Sequence, residues 1–190
     1  MSATTDTNPA PAAGWTLRLA GEADIPAMTR VMERSIGALL DGFLTPQQVE
    51  DSAAIMGMDP QLVADGTYFL AEDASGAVIG CGGWSRRRTS HGGGHSAGRD
   101  DALVDPATEP ARVRAMYTDP DHARKGIGRA ILAAAETAAA EAGFSQGMLI
   151  ATLAGAPLYR AAGWREEERM EAPAAEGRTV PVIRMSKALR

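Results

Sequence analysis

Apolar and polar positions along this chain follow two periods, and the switches between them divide it into elements. Trp15 to Leu19 reads as a first strand. From Ile25 the period becomes helical: Ile25, Met28, Val31, Met32, Ile36 and Leu39 mark one face down to Gly42, with Pro26 in the first turn and Asp24 before it. Thr45-Pro46-Gln47-Gln48 has the residues of a capping box and predicts a second helix through Ala54. Thr67 to Glu72 and Ala77 to Trp84 are β-rich runs around Asp73-Ala74-Ser75-Gly76, a predicted hairpin. Gly80, Gly82 and Gly83 interrupt the second run, which predicts a bulge or the close approach of another chain segment or a ligand. Val113 to Thr118 alternates as a strand does. Ile127, Ala130, Ile131, Ala134 and Ala138 then recur at helical spacing until Gly143 stops them. A buried strand over Gly147 to Ala151, a short helix ended by Gly163, and strands over Trp164 to Met170 and Thr179 to Met185 complete the pattern, the last two joined by the linker 172–178.

Two stretches fall outside any period. Met1 to Ala13 is Ser, Thr, Pro and Ala with nothing to bury, and is expected to be a disordered tail ahead of a single domain over 14–190. Residues 86–110 form a long insertion between strands: Arg86-Arg87-Arg88, then His91-Gly92-Gly93-Gly94-His95, then Asp100, Asp101 and Asp105. Insertions of that length are functional or disordered, so the expectation is a flap over a site or a solvated loop. His91 and His95 stand at i and i+4, but three intervening glycines work against the helix that would bring both to one metal ion. The three arginines are either a solvated run or a contact for phosphate or an acidic substrate.

With 190 residues, 45% of them hydrophobic, the chain builds the core of one ordinary domain. A formal charge of -5 argues against nucleic acid or an anionic membrane as a general partner, and makes any cationic site a local feature. Cys81 is the only cysteine, which rules out an internal disulfide and a thiolate zinc cluster and suits a reducing cytoplasm. With no activating His near it in sequence, it reads as a small buried apolar residue. No window approaches 18 apolar residues and no basic-then-apolar leader opens the chain, so neither a membrane span nor a secretory signal is expected.

The chemistry concentrates between the strand ending at Thr118 and the helix beginning at Ile127. A strand, a glycine-bearing loop and a helix in that order aim unpaired backbone N–H groups at one point, where the helix dipole adds roughly half a positive charge. Such a point binds anions. Gly126 and Gly128 remove side chains that would hold a phosphate off the backbone, and Arg124, Lys125 and Arg129 add charge around it. The spacing is not a Walker loop, which needs Gly-Lys followed by Ser or Thr. It is not a dinucleotide fingerprint either, because Ile131 stands where the third glycine belongs.

Arg124-Lys125-Gly126-Ile127-Gly128-Arg129 instead resembles the pyrophosphate loop of the GCN5-related N-acetyltransferases, with Ala123 in place of the usual Gln or Arg at its first position. Ala154 to Trp164, a helix ending in Tyr159 followed by Gly163 and Trp164, resembles the second signature of that superfamily, in the usual order and separation. With the strand-turn-helix opening, the resemblance covers nearly all of the chain from Trp15.

It implies an α/β fold of the α+β type: a mixed, mostly antiparallel sheet of about seven strands with flanking helices and a central βαβ unit. It implies an enzyme that moves an acetyl group from acetyl-CoA to a primary amine, with no metal. The CoA pyrophosphate would lie on Arg124, Lys125, Gly126, Ile127, Gly128 and Arg129, and the pantetheine arm beside Met116, Tyr117 and Thr118, as an added strand would. Tyr159 aligns with the tyrosine that returns a proton to the leaving thiolate. The general base stays open among Glu72, His91, His95, Tyr117 and a water chain, since Arg112 and Thr152 occupy positions where relatives carry Glu and Asn. Met56 and Met58 either line the acceptor pocket or belong to the core. A small-molecule amine is the expected acceptor, with no nucleic acid or membrane partner, for a monomer or homodimer. A non-catalytic acyl-CoA binding or sensing module is the alternative.

Overall fold

The computed structural model describes residues 14–96 and 98–189, with the side chains of residues 53 and 54 left out. The tail expected over 1–13 lies outside the described residues. Seven strands form one sheet: β1 Trp15–Leu19, β2 Tyr68–Asp73, β3 Val78–Ser85, β4 Ala111–Thr118, β5 Gln146–Thr152, β6 Arg165–Pro173 and β7 Thr179–Ala188. Their order across the sheet is β1-β2-β3-β4-β5-β7-β6, and only β4 and β5 run parallel. The helices are α1 Ile25–Leu39, α2 Pro46–Ile55, α3 Pro60–Ala64, α4 Ile127–Glu141 and α5 Ala156–Ala161.

Period-two alternation assigns the faces. Tyr68, Leu70 and Cys81 turn toward the apolar sides of α1 and α3, where they pack with Met28, Val31, Leu62 and Val63. Ala71 and Phe69 turn the other way, toward Ile127 and Ile131 of α4. Each fully buried Ile or Leu of α4 contributes about 1.5–3 kcal/mol relative to exposure. The buried face of α4 is Ile127, Ile131, Leu132, Ala135 and Ala139, turned by about one residue from the predicted stripe through Ala134 and Ala138. Alanines recur all round this helix, so its few large residues decide which side is buried.

The caps read from sequence form as expected. Thr45 accepts from the Gln48 N–H while the Gln48 side chain returns a bond to the Thr45 N–H. Gly163, at φ +87°, follows α5 and turns the chain into β6. Helix α3 is an addition to the predicted elements. Asp59 starts it by accepting from the Gln61 N–H, with Pro60 in its first turn, but five residues are too short for a periodic signal.

Candidate functional site

The site grows from a fault in the middle of the sheet. β4 pairs with β5 at only two positions, Ala111 with Gly147 and Arg112 with Met148. Beyond them β5 stays bonded to β7 along its whole length, and β4 leaves it. The cause lies on the opposite edge of β4. Arg114 faces Gly83 and Tyr117 faces Cys81, so two β4 residues, Ala115 and Met116, stand against the single Gly82. Ala115 takes φ +54°, a left-handed conformation that costs an L-residue roughly 1–2 kcal/mol. A bulge of this kind bends its strand and sharpens the local twist. The Tyr68 hydroxyl fixes it by donating to the Ala115 carbonyl at 2.9 Å. The strand glycines make room: a Cβ on Gly82 would collide with the Met116 sulfur, and one on Gly80 would lie 2.6 Å from Ile127 Cγ2. The edge of β4 that faces β5 is therefore left without a strand partner from Val113 to Thr118.

At the end of β4 the chain enters the predicted anion loop. Asp119 accepts from the Asp121 N–H at 2.9 Å, and Asp119 and Asp121 both hold Arg34 of α1. Arg124 at φ +64° and Gly126 at φ +83° put two left-handed residues into the turn before α4, the kind of conformation that gathers successive N–H groups into an anion-binding concavity. Among the described residues, no hydrogen bond uses the backbone N–H groups of residues 124–129; the first helical bond is donated by Ala130 to the Gly126 carbonyl. Arg124, Lys125 and Arg129 are exposed around this cradle, Lys125 with its Nζ 2.9 Å from the Asp121 carbonyl. A Cβ on Gly128 would stand 3.2 Å from Leu158 and 3.4 Å from Thr118 Oγ1, so the first turn of α4, the end of β4 and α5 converge here.

Tyr159 projects from α5 into the opened seam. It is buried, edge-on to Trp164 at 6.3 Å, and its hydroxyl has no hydrogen-bond partner among the described residues. Burial raises its pKa well above the usual phenol value, so it stays protonated through the physiological range. It borders a cavity of about 100 Å³ with Met116, Tyr117, Thr152 and His91. A wider cleft of about 580 Å³ continues outward between the 88–100 segment and the β6–β7 turn at 173–175, sharing Ile55, Ser90 and His91 with the inner cavity.

The 86–110 insertion is tied down over this seam. Asp59, with 1% of its side chain exposed, accepts from Arg114 of β4 at 2.8 Å and from Arg99 of the insertion at 3.0 Å. Arg114 also donates to the Gly92 carbonyl at 2.8 Å, and Arg99 to the Gly93 carbonyl at 3.0 Å. Gly93 packs backbone to backbone on Gly57. The arginine run contributes as well: both oxygens of Asp65 accept from Arg87 at 2.7 Å, while Arg88 reaches Glu109 at 3.8 Å. These arginines serve the loop more than a ligand.

Met116 and Tyr117 line the cavity and Thr118 abuts the loop. Met56 lines the cavity too, whereas Met58 packs with the α1–α3 core. Of the base candidates, Glu72 is paired with Arg18 on β1, and His95 borders the outer cleft rather than the inner cavity. The Tyr117 hydroxyl accepts from the Gly57 N–H at 3.1 Å, and burial raises its pKa. Cys81 is fully buried with its pKa pushed up to about 12, an inert core thiol. Among the described residues, no group of three or more His, Cys, Asp or Glu could hold a metal ion, and no helix is long and apolar enough to cross a membrane. Sequence reasoning missed the Asp59–Arg114–Arg99 cluster; its one signal was a charged residue, Arg114, in the middle of a strand that the structure buries.

A split parallel pair, an unpartnered strand edge and an anion-binding loop leading into α4 define an acyl-transfer fold. The family model of the acetyltransferase (GNAT) domain matches residues 64–166, and the chain belongs to that family: it is an acetyltransferase. Solved structures agree in fold. A phosphinothricin acetyltransferase from Sinorhizobium meliloti, in complex with acetyl-CoA, is 23% identical with a TM-score of 0.62, over 93% of this chain and 89% of that one. A putative acetyltransferase from Salmonella typhimurium, solved with its cofactor acetyl-CoA, is 19% identical with a TM-score of 0.61, over 93% and 95%. The ribosomal-protein-S18-alanine N-acetyltransferase from Escherichia coli is 17% identical with a TM-score of 0.56, over 92% and 94%. A search of curated protein sequences finds no match.

Proposed function

We propose that this acetyltransferase transfers the acetyl group of acetyl-CoA to a primary amine of a small molecule. The observation that carries the small-molecule reading is the docked insertion. It turns the seam between β4 and β5 from an open trough into a cavity of about 100 Å³ continued outward by the cleft beside the insertion, a shape suited to a compact acceptor rather than to a peptide laid across the sheet.

The residues present fit the donor. The free N–H groups of 124–129 and the charges of Arg124, Lys125 and Arg129 suit a pyrophosphate. The bare edge of β4 at Met116, Tyr117 and Thr118 suits an amide-bearing arm that hydrogen-bonds as a strand does. When bound, acetyl-CoA supplies an activated acyl group on a thiol leaving group. The chain's own contribution is placement and proton handling. A backbone N–H of the Met116 to Thr118 segment, on the edge of β4 that β5 leaves open, would stabilise the oxyanion. Tyr159, protonated and without a partner, is the proton donor to the departing sulfur. The single cysteine, buried and reduced, suits a cytoplasmic enzyme.

Thiol release from acetyl-CoA over a panel of small amines, amino acids and short peptides tests this. Turnover with one small-amine class and none with peptides is expected. Turnover confined to peptide N-termini would overturn the acceptor assignment, and stoichiometric binding without turnover on any amine would favour a sensing module.

A further inference from the structure

The inner cavity contains four titratable side chains among its described lining residues: His91, Arg114, Tyr117 and Tyr159. Three of them are unsuited to accept a proton. Arg114 is a cation paired with Asp59. Tyr117 is a phenol whose oxygen already accepts from Gly57, and Tyr159 is a phenol kept protonated by burial. No carboxylate stands among these lining residues. His91 remains, and it stands where the inner cavity meets the outer cleft, lining both, on a segment whose backbone carbonyls at His91 and Gly92 are held by Arg114. An amine entering from the cleft passes this ring before it reaches the seam.

We propose that His91, delivered by the docked insertion, is the general base of the acetyl transfer. The inference rests on the acetyltransferase reading above and supplies the group that reading leaves unassigned. Ser90 Oγ lies 3.0 Å from His91 Nδ1. With Nδ1–H donating to that hydroxyl, Nε2 keeps its lone pair free for the acceptor. The balance is complete. Nε2 takes a proton from the amine nitrogen as the N–C bond forms, Tyr159 gives a proton to sulfur as the C–S bond breaks, and water carries the proton from the imidazolium back to the phenolate.

The groups facing the ring set its protonation. Although His91 keeps an exposed surface toward the cleft, the loop and seam around it and the Arg114 cation lower its pKa from the usual 6.5, so the ring is neutral at physiological pH. Arg88, Arg99, Asp100 and His95 line the outer cleft with it, and Arg114, Tyr117 and Tyr159 line the inner cavity with it. Arg99 is already paired with Asp59 and Asp101. The turnover number therefore rises with pH through an ionisation below 6.5 and levels off above it.

The test compares the wild type with His91→Gln and His91→Gly, measuring the pH profile of turnover and, in the same samples, the affinity for desulfo-CoA. General-base catalysis is worth typically 10²–10⁴-fold. The expected result is a loss of at least about a hundredfold in turnover at pH 7 for both variants, disappearance of the acid-side inflection, unchanged desulfo-CoA affinity, and partial rescue of His91→Gly by added imidazole. A merely structural role would move neither the inflection nor the rescue. Turnover within threefold of wild type with the inflection retained, or a loss that imidazole does not touch, would overturn the assignment of His91. Failure of the wild type to bind desulfo-CoA would instead overturn the acetyltransferase reading, leaving no reaction for His91 to serve.

Discussion

Replacing Asp59 by Asn tests whether the insertion is fastened by charge. Asp59 Oδ2 receives Arg114 Nη1 at 2.8 Å and Arg99 Nη1 at 3.0 Å, and the Asp59 and Arg114 side chains are 1% and 2% exposed. Asn keeps an acceptor for the Gln61 N–H, so the start of α3 survives and the change isolates the charge. Removing one partner of a buried pair costs about 3–5 kcal/mol, because the cation left behind stays desolvated. The Arg114 Nε already lacks a partner among the described residues. For a domain of this size each kcal/mol lowers Tm by about 2–4 °C, so the variant should melt about 6–20 °C below wild type. The double variant Asp59→Leu with Arg114→Met should recover much of that loss, since apolar replacement of a buried pair is often close to neutral. Thermal unfolding by circular dichroism measures both, and limited proteolysis over 91–99 reports whether the loop has lifted. A Tm within about 2 °C of wild type for Asp59→Asn, or losses that simply add in the double variant, would refute the reasoning.

Tyr159→Phe should lower turnover at least tenfold while leaving desulfo-CoA affinity nearly unchanged, and wild-type activity should show no phenol ionisation near pH 10, because burial raises that pKa; an unchanged rate would remove Tyr159 from the mechanism. Stability should fall as pH climbs above about 9. Cys81, at about 12, and the buried Tyr68, Tyr117 and Tyr159 hold their protons in the folded chain, whereas the unfolded chain releases them near 8.5 and 10. The loss reaches up to about 1.4 kcal/mol per pH unit for each group ionised only in the unfolded state. Urea midpoints between pH 8 and 10.5 measure it; Cys81→Ala should flatten the early part of the decline, and a flat profile for the wild type would contradict the burial assigned to these groups.

The sequence made legible those parts of the site that depend on local chemistry. Gly126 and Gly128 announced the anion loop because a backbone that must approach a phosphate needs residues without side chains. Gly80, Gly82 and Gly83 announced a close approach, which the structure resolves as α4 and the bulged β4 at Gly80 and Gly82 and as Thr67 and Tyr68 at the start of β2 at Gly83. Ala115 gave no warning, since an alanine in a left-handed conformation is imposed by the register of its neighbours. The length of 86–110 announced a flap or a solvated loop but not how it is fastened: a Cβ on Gly93 would sit 2.8 Å from the Gly57 Cα, so that residue is glycine for packing. The Asp59–Arg114–Arg99 cluster joins residues 40 and 55 positions from Asp59, and no local pattern chooses ion-pair partners over that distance.

The most direct test of the account is calorimetric titration of wild type and Gly126→Asp with desulfo-CoA. Gly126 is the left-handed residue at the mouth of the anion loop, and a Cβ added to it would meet nothing within 4 Å, so an aspartate there adds negative charge and some backbone strain without a steric clash. Micromolar binding by wild type and at least a hundredfold loss in a folded Gly126→Asp variant is the predicted result. Equal binding by the two proteins would place the donor's anionic group elsewhere, and no binding by wild type would reduce the loop to the cap of α4.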